Sequence, residues 1–181
     1  KFFDAYADFM IAFFDKIHSL YNLDMVTLHD DWGSEKDTFF SPKMMEELVF
    51  GPTKKIVDHI KSKGVVFELH SCGNVTRFLP YMVELGADLL QLQRRAVDIP
   101  AMKEKYGDKI GFCVSLEDFN PFGPCTDEDI VAAVRRTVDI YAPGGGCYAM
   151  MFFPDPEKNW TALTELYAYS REFYDREQGR A

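Results

Sequence analysis

The chain has 181 residues, 47% of them hydrophobic and 27% charged, with 12 Gly and 9 Pro; this is a globular composition that excludes a disordered or collagen-like protein. Its 20 basic and 29 acidic side chains leave a formal charge of -9, which opposes the basic patch a phosphate backbone requires, so no nucleic-acid partner is expected. Four cysteines without a C-x-x-C pair exclude a disulfide scaffold and a zinc finger. Reduced thiols in a cytoplasm fit better. No apolar run reaches membrane-spanning length, and Asp4 and Asp8 interrupt any signal-peptide core, so no membrane association is expected.

Phe2, Tyr6, Phe9, Phe13, Ile17 and Leu20 recur at helical spacing and predict an amphipathic first helix. A short apolar strand follows over 24–30. Ser41 before Pro42 is a helix start, and the helix over 42–63 ends at Gly64. The pattern then repeats, with strands over 65–71, 89–93, 110–116 and 147–152. The alternating helices run over 74–85, 99–106, 126–141 and 160–174, the third opened by a Thr126/Asp129 capping box. Strands alternating with helices mean βαβ units and a parallel sheet.

The two registers of each strand refine this to a barrel. Val26 and Leu28 oppose Thr27, His29 and Asp31; Val65, Phe67 and Leu69 oppose Val66, Glu68, His70 and Cys72. Leu90 and Leu92 oppose Gln91 and Gln93, while Phe112, Val114 and Leu116 oppose Cys113, Ser115 and Glu117. A doubly wound sheet is apolar on both faces, whereas a barrel turns one register inward, where it becomes polar at the C-terminal rim. The expected fold is therefore a (β/α)8 TIM-type barrel in a single domain, 1–181, with five C-terminal βα units present. Five strands do not close such a barrel, so three units are expected before Lys1, or else completion by association. Rim positions Asp30, Asp31, His70, Cys72, Gln93, Glu117 and Asp118 are the site candidates.

Five segments carry a family resemblance: His29-Asp30-Asp31-Trp32-Gly33, Phe39-Phe40-Ser41-Pro42, Leu69-His70-Ser71-Cys72-Gly73-Asn74, Tyr106-Gly107-Asp108-Lys109 and Ala142-Pro143-Gly144-Gly145-Gly146. In order and spacing they resemble the C-terminal part of the uroporphyrinogen decarboxylase-like superfamily. That superfamily is one of (β/α)8 barrels and includes zinc-dependent methyltransferases that exchange methyl groups with corrinoid proteins. The resemblance implies that the His-x-Cys pair, His70 and Cys72, supplies two Zn²⁺ ligands. Imidazole and thiolate two positions apart at a strand end suit that ion.

The family's third ligand is a later Cys. Cys147 lies at about the right distance along the chain but at the start of the last strand, on the order of 10 Å or more from the rim, which argues against it. A carboxylate is the expected substitute, from Glu117, Asp31 or Glu35, with Glu117 best matched to the family's pattern. Asp30, Asp31 and Glu117 are the expected catalytic residues, and His29, Trp32 and Gln93 the expected substrate contacts. The resemblance implies a methyl transfer between a small substrate or thiol and a corrinoid carried by a partner protein, since the chain has no Asp-x-His-x-x-Gly sequence. Two alternatives stand beside it, a uroporphyrinogen decarboxylase-type carboxy-lyase and a non-catalytic binding or subunit module, and a homo-oligomer is compatible with each. Taken singly, the residues have plainer readings: a hydrogen-bonded structural histidine for His70, a small buried hydrophobe for Cys72, and loop anchors for Trp32, Phe39 and Phe40.

Overall fold

A computed structural model of the chain describes residues 1–180. Helix α1 (Phe2–Tyr21) precedes strand β1 (Met25–His29). The remaining strands are β2 (Val66–Ser71), β3 (Leu89–Leu92), β4 (Gly111–Val114) and β5 (Cys147–Ala149). They pair in chain order as one five-stranded sheet, every neighbour parallel, with helices as the crossovers. This is the partial (β/α) barrel that the strand registers predict.

The outward register builds the core. Phe67, Leu69, Leu90 and Phe112 are fully buried under the helices, removing from water the apolar area that drives the fold. The inward register forms a layer of paired positions, His29 to His70, His70 to Gln91, Gln91 to Cys113 and Cys113 to Tyr148. Beneath it Glu68, 1% exposed, accepts hydrogen bonds from Thr27 (2.8 Å), Gln91 (3.4 Å) and the Tyr148 hydroxyl. A carboxylate so enclosed persists because its oxygens are satisfied by donors.

Three departures from the sequence reading have local causes. The helix expected over 42–63 is divided into α2 (Pro42–Met44), a π-helical turn Met45–Val49 and α3 (Phe50–Ser62). Pro52 lacks the N–H that would reach back to Leu48, and its ring crowds that carbonyl, so the ladder widens just before it. Strand β5 stops at Ala149 because Asn159 takes both backbone groups of Phe153, at 2.9 and 3.0 Å, drawing the chain under Phe119. The last helix, α7 (Pro156–Glu177), begins four residues before the expected Trp160, at an Asp155 cap followed by Pro156. Helices α4 (Leu79–Glu84), α5 (Ile99–Tyr106) and α6 (Asp127–Tyr141) fall where expected, α4 shortened by a 3-10 turn at Thr76–Phe78. The Thr126/Asp129 capping box is formed.

Candidate metal centre

The C-terminal rim brings Asp31, His70 and Cys72 together, each offering one donor atom, all within 4.8 Å of one another. Among the described residues this is the one such group of three. His70 Nε2 lies 3.3 Å from Cys72 Sγ and 3.4 Å from Asp31 Oδ1, and Asp31 Oδ1 accepts the Cys72 backbone N–H at 2.8 Å. His70 is the penultimate residue of β2, Cys72 stands just past the strand's end, and Asp31 is the second residue of the loop after β1. The inward alternation of the two strands therefore converges these side chains.

Two glycines let the loops meet. Gly73 has φ +78°, and a Cβ there would stand 2.3 Å from the Gly33 backbone, while one on Gly33 would press on Asn74. Without side chains the Asp31 and Cys72 loops touch backbone to backbone, tied by the Asn74 N–H donating to Ser34 O at 2.6 Å.

The electrostatics favour a neutral imidazole beside a carboxylate. Burial is the main cause holding the His70 imidazole below its ordinary pKa, assisted by His29, whose ring lies 4.5 Å away. The Cys72 N–H, above all, holds Asp31 below the usual carboxylate range. Burial, then Asp31, pushes the Cys72 thiol up. His70 Nδ1 is enclosed without a partner, so Nε2 is the nitrogen turned to the other two donors. One imidazole, one sulfur and one carboxylate are a donor set that Zn²⁺ accepts, and three protein ligands leave a fourth position open.

The structure corrects the expected roles of several residues. Glu117 is not with His70 and Cys72. Strand β4 ends at Val114, so the alternation does not carry through to Glu117, whose backbone N–H donates to Thr137 of α6 at 2.8 Å. Its carboxylate accepts from Arg94 at 3.1 Å and from the Tyr141 hydroxyl, facing the helices. Asp31 takes the carboxylate position instead.

Cys147 pairs in register with the outward Phe112, and burial pushes its thiol up to about 11; it belongs to the helix layer. Trp32, 2% exposed, packs edge-on against Phe78 and anchors its loop. Asp30 shares the outward register of Leu28 and lines a hollow of about 400 Å³ with Tyr6 and Phe40, where burial raises its carboxyl. It is not one of the three clustered donors. His29 is exposed on the sheet edge beside His70.

Gln93 reaches the site: its side-chain nitrogen donates to Cys72 Sγ at 3.2 Å and its oxygen accepts the Gly73 N–H at 2.9 Å. It also lines a cleft of about 800 Å³ with Glu35, Arg95, Phe122, Met150 and Phe152. The Glu68 network lies outside the candidates read from the sequence; its signal there is a lone Glu in the middle of an apolar strand.

The fold and this rim cluster define a (β/α)-barrel protein with a candidate active site at the C-terminal ends of its strands. The chain belongs to the family described as Uroporphyrinogen decarboxylase (URO-D), whose profile matches residues 1–164. A solved structure described as a methyltransferase from Methanosarcina mazei is similar in fold, with a TM-score of 0.59 and 23% identity over 83% of this chain and 42% of that one. The present chain thus spans less than half of that protein. No curated protein sequence matches it. Among the described residues no helix is long and apolar enough to cross a membrane.

Proposed function

We propose that this chain carries the metal-holding part of a methyltransferase site, with His70 Nε2, Cys72 Sγ and an Asp31 oxygen as the residues that would hold Zn²⁺ beside the cleft lined by Gln93. The observation that carries the reading is the convergence of three unlike donors within 4.8 Å at the rim. Family membership and a fold neighbour described as a methyltransferase support it. Zn²⁺ held there supplies a Lewis acid that favours a thiolate at neutral pH or polarises a methyl-bearing heteroatom.

The residues of the chain do the remaining work. Cys72 would give up its thiol proton on becoming a ligand, Asp31 would balance positive charge, and the β2 register turns His70 inward. Phe122, Met150 and Phe152 line the cleft with apolar surface, which suits a methyl-bearing group. The methyl carrier in this reading is a corrinoid on a separate protein, and the four free thiols fit a cytoplasmic setting.

The competing carboxy-lyase reading draws on the family alone. A porphyrinogen's many carboxylates call for several free cations; of the two arginines lining the cleft, Arg94 is engaged by Glu117 and Asp118, which leaves Arg95. Metal analysis of the purified protein tests the proposal: about one zinc per chain is expected, lost in the His70→Ala, Cys72→Ala double variant. Metal-free protein at neutral pH, after supply of zinc, overturns it.

A further inference from the structure

Gln93 stands where the metal cluster meets the cleft, and its amide uses both ends there. The register places His70 opposite Gln91, so two residues further on Gln93 faces Cys72 across neighbouring strands about 4.8 Å apart. Its side-chain N–H points at the Cys72 sulfur, at 3.2 Å, while its carbonyl oxygen takes the N–H of Gly73, at 2.9 Å. Gly73 is the left-handed turn residue, φ +78°, that carries the chain away from Cys72. One planar group thus grips both the sulfur and the turn behind it.

We propose that Gln93 is the positioning residue for the Cys72 sulfur, fixing its direction through the turn and retaining an N–H···S hydrogen bond when that sulfur ligates a metal. The inference deepens the metal-centre reading and rests on it for the metal-bound state; the grip on sulfur and turn stands without metal. The other polar neighbours of the sulfur differ in kind. His70 Nε2 and the Asp31 carboxylate lie beside it, but each must turn a lone pair to a bound cation and so cease to contact the sulfur as donor or acceptor. A carboxamide nitrogen has no available lone pair and is a donor only. Its bond to a thiolate is charge-assisted, and it draws density from the sulfur, leaving the metal the stronger Lewis acid. The same side chain lines the cleft, so the residue that fixes the sulfur also borders the space a substrate would occupy.

Two variants separate the two ends of the amide. Gln93→Met keeps length and removes both hydrogen bonds. Gln93→Glu keeps an acceptor for Gly73 and removes the donor to sulfur. Gln93 is exposed, so both variants are expected to fold, which circular dichroism checks.

In metal-free protein, Gly73 amide exchange should quicken about fivefold in Gln93→Met, the loss of one hydrogen bond of about 1 kcal/mol, and stay near the parent value in Gln93→Glu. The S–H stretching band that disappears in Cys72→Ala should shift in both variants. In Co²⁺-loaded protein the thiolate-to-cobalt charge-transfer band should move to lower energy in both. A Cys72 band unmoved in Gln93→Met, or Gly73 exchange unchanged there, overturns the proposal. If the parent protein takes up no Co²⁺, the metal-centre reading and the metal-bound part of this proposal fall together, while the S–H band and Gly73 exchange still decide the grip itself.

Discussion

His70 and Cys72 make contrary demands on their surroundings, and the rim meets both by partial enclosure. Burial keeps the imidazole neutral, which a ligand must be, while it keeps the thiol protonated until a cation displaces the proton. In metal-free protein the depressed imidazole has a sign that can be checked. The unfolded chain binds this proton more readily than the fold does, so its contribution is fully present above about pH 6.5 and is lost as pH falls through that value toward the native one. The denaturation midpoint should drop over that interval, and His70→Gln should flatten the drop. For Asp31, held in place by the Cys72 N–H, Asp31→Asn should weaken zinc binding by about tenfold or more, measured by competition with a chelator. Gly73→Ala forces a Cβ into the left-handed region and against the Gly33 backbone; a loss of at least about 1–2 kcal/mol is expected in denaturant titration, together with the zinc site.

Among the elements, the inward face of the sheet acts as a polar spine. Glu68, Thr27, Gln91 and Tyr148 come from four strands and meet at one carboxylate. That network ties short β5, three residues long, to the centre of the sheet. Tyr148→Phe removes a donor to the buried Glu68 side chain, and about 1–2 kcal/mol of stability should go with it, since the tyrosine is partly exposed. The π-helical turn before Pro52 and the Asn159 clasp on Phe153 are devices of the same scale. Each answers a backbone group that regular structure leaves unpaired, and neither is visible in hydrophobic periodicity.

Over the whole molecule, the sheet ends in two edge strands, β1 and β5, and apolar side chains remain exposed on helices α1 and α7. Phe9 and Phe13 stack on each other at 6.1 Å while about half or more of each stays exposed, as does Trp160 on α7. Stripes of this kind mark surfaces that seek a partner. The 181-residue chain is expected to self-associate with rising concentration, and Phe9→Glu with Phe13→Glu to shift it toward monomer in sedimentation velocity. A concentration-independent monomer would remove that expectation.

The parallel order follows from strands alternating with helices, and the outward core of Phe67, Leu69, Leu90 and Phe112 and the inward course of His70 and Cys72 follow from the two-residue period of a strand; both patterns are local and therefore written in the sequence. The third donor was not legible there. Asp31 and Glu117 both extrapolate onto the inward register, and the choice between them depends on where each strand actually ends. Strand β4 gives out at Val114 and Glu117 turns to Arg94 and Tyr141, while the Gly33 and Gly73 contact carries Asp31 onto Cys72. Those are contacts between residues 23, 24 and 41 positions apart along the chain, so only the folded packing, with its competition among hydrogen-bond partners, could decide them.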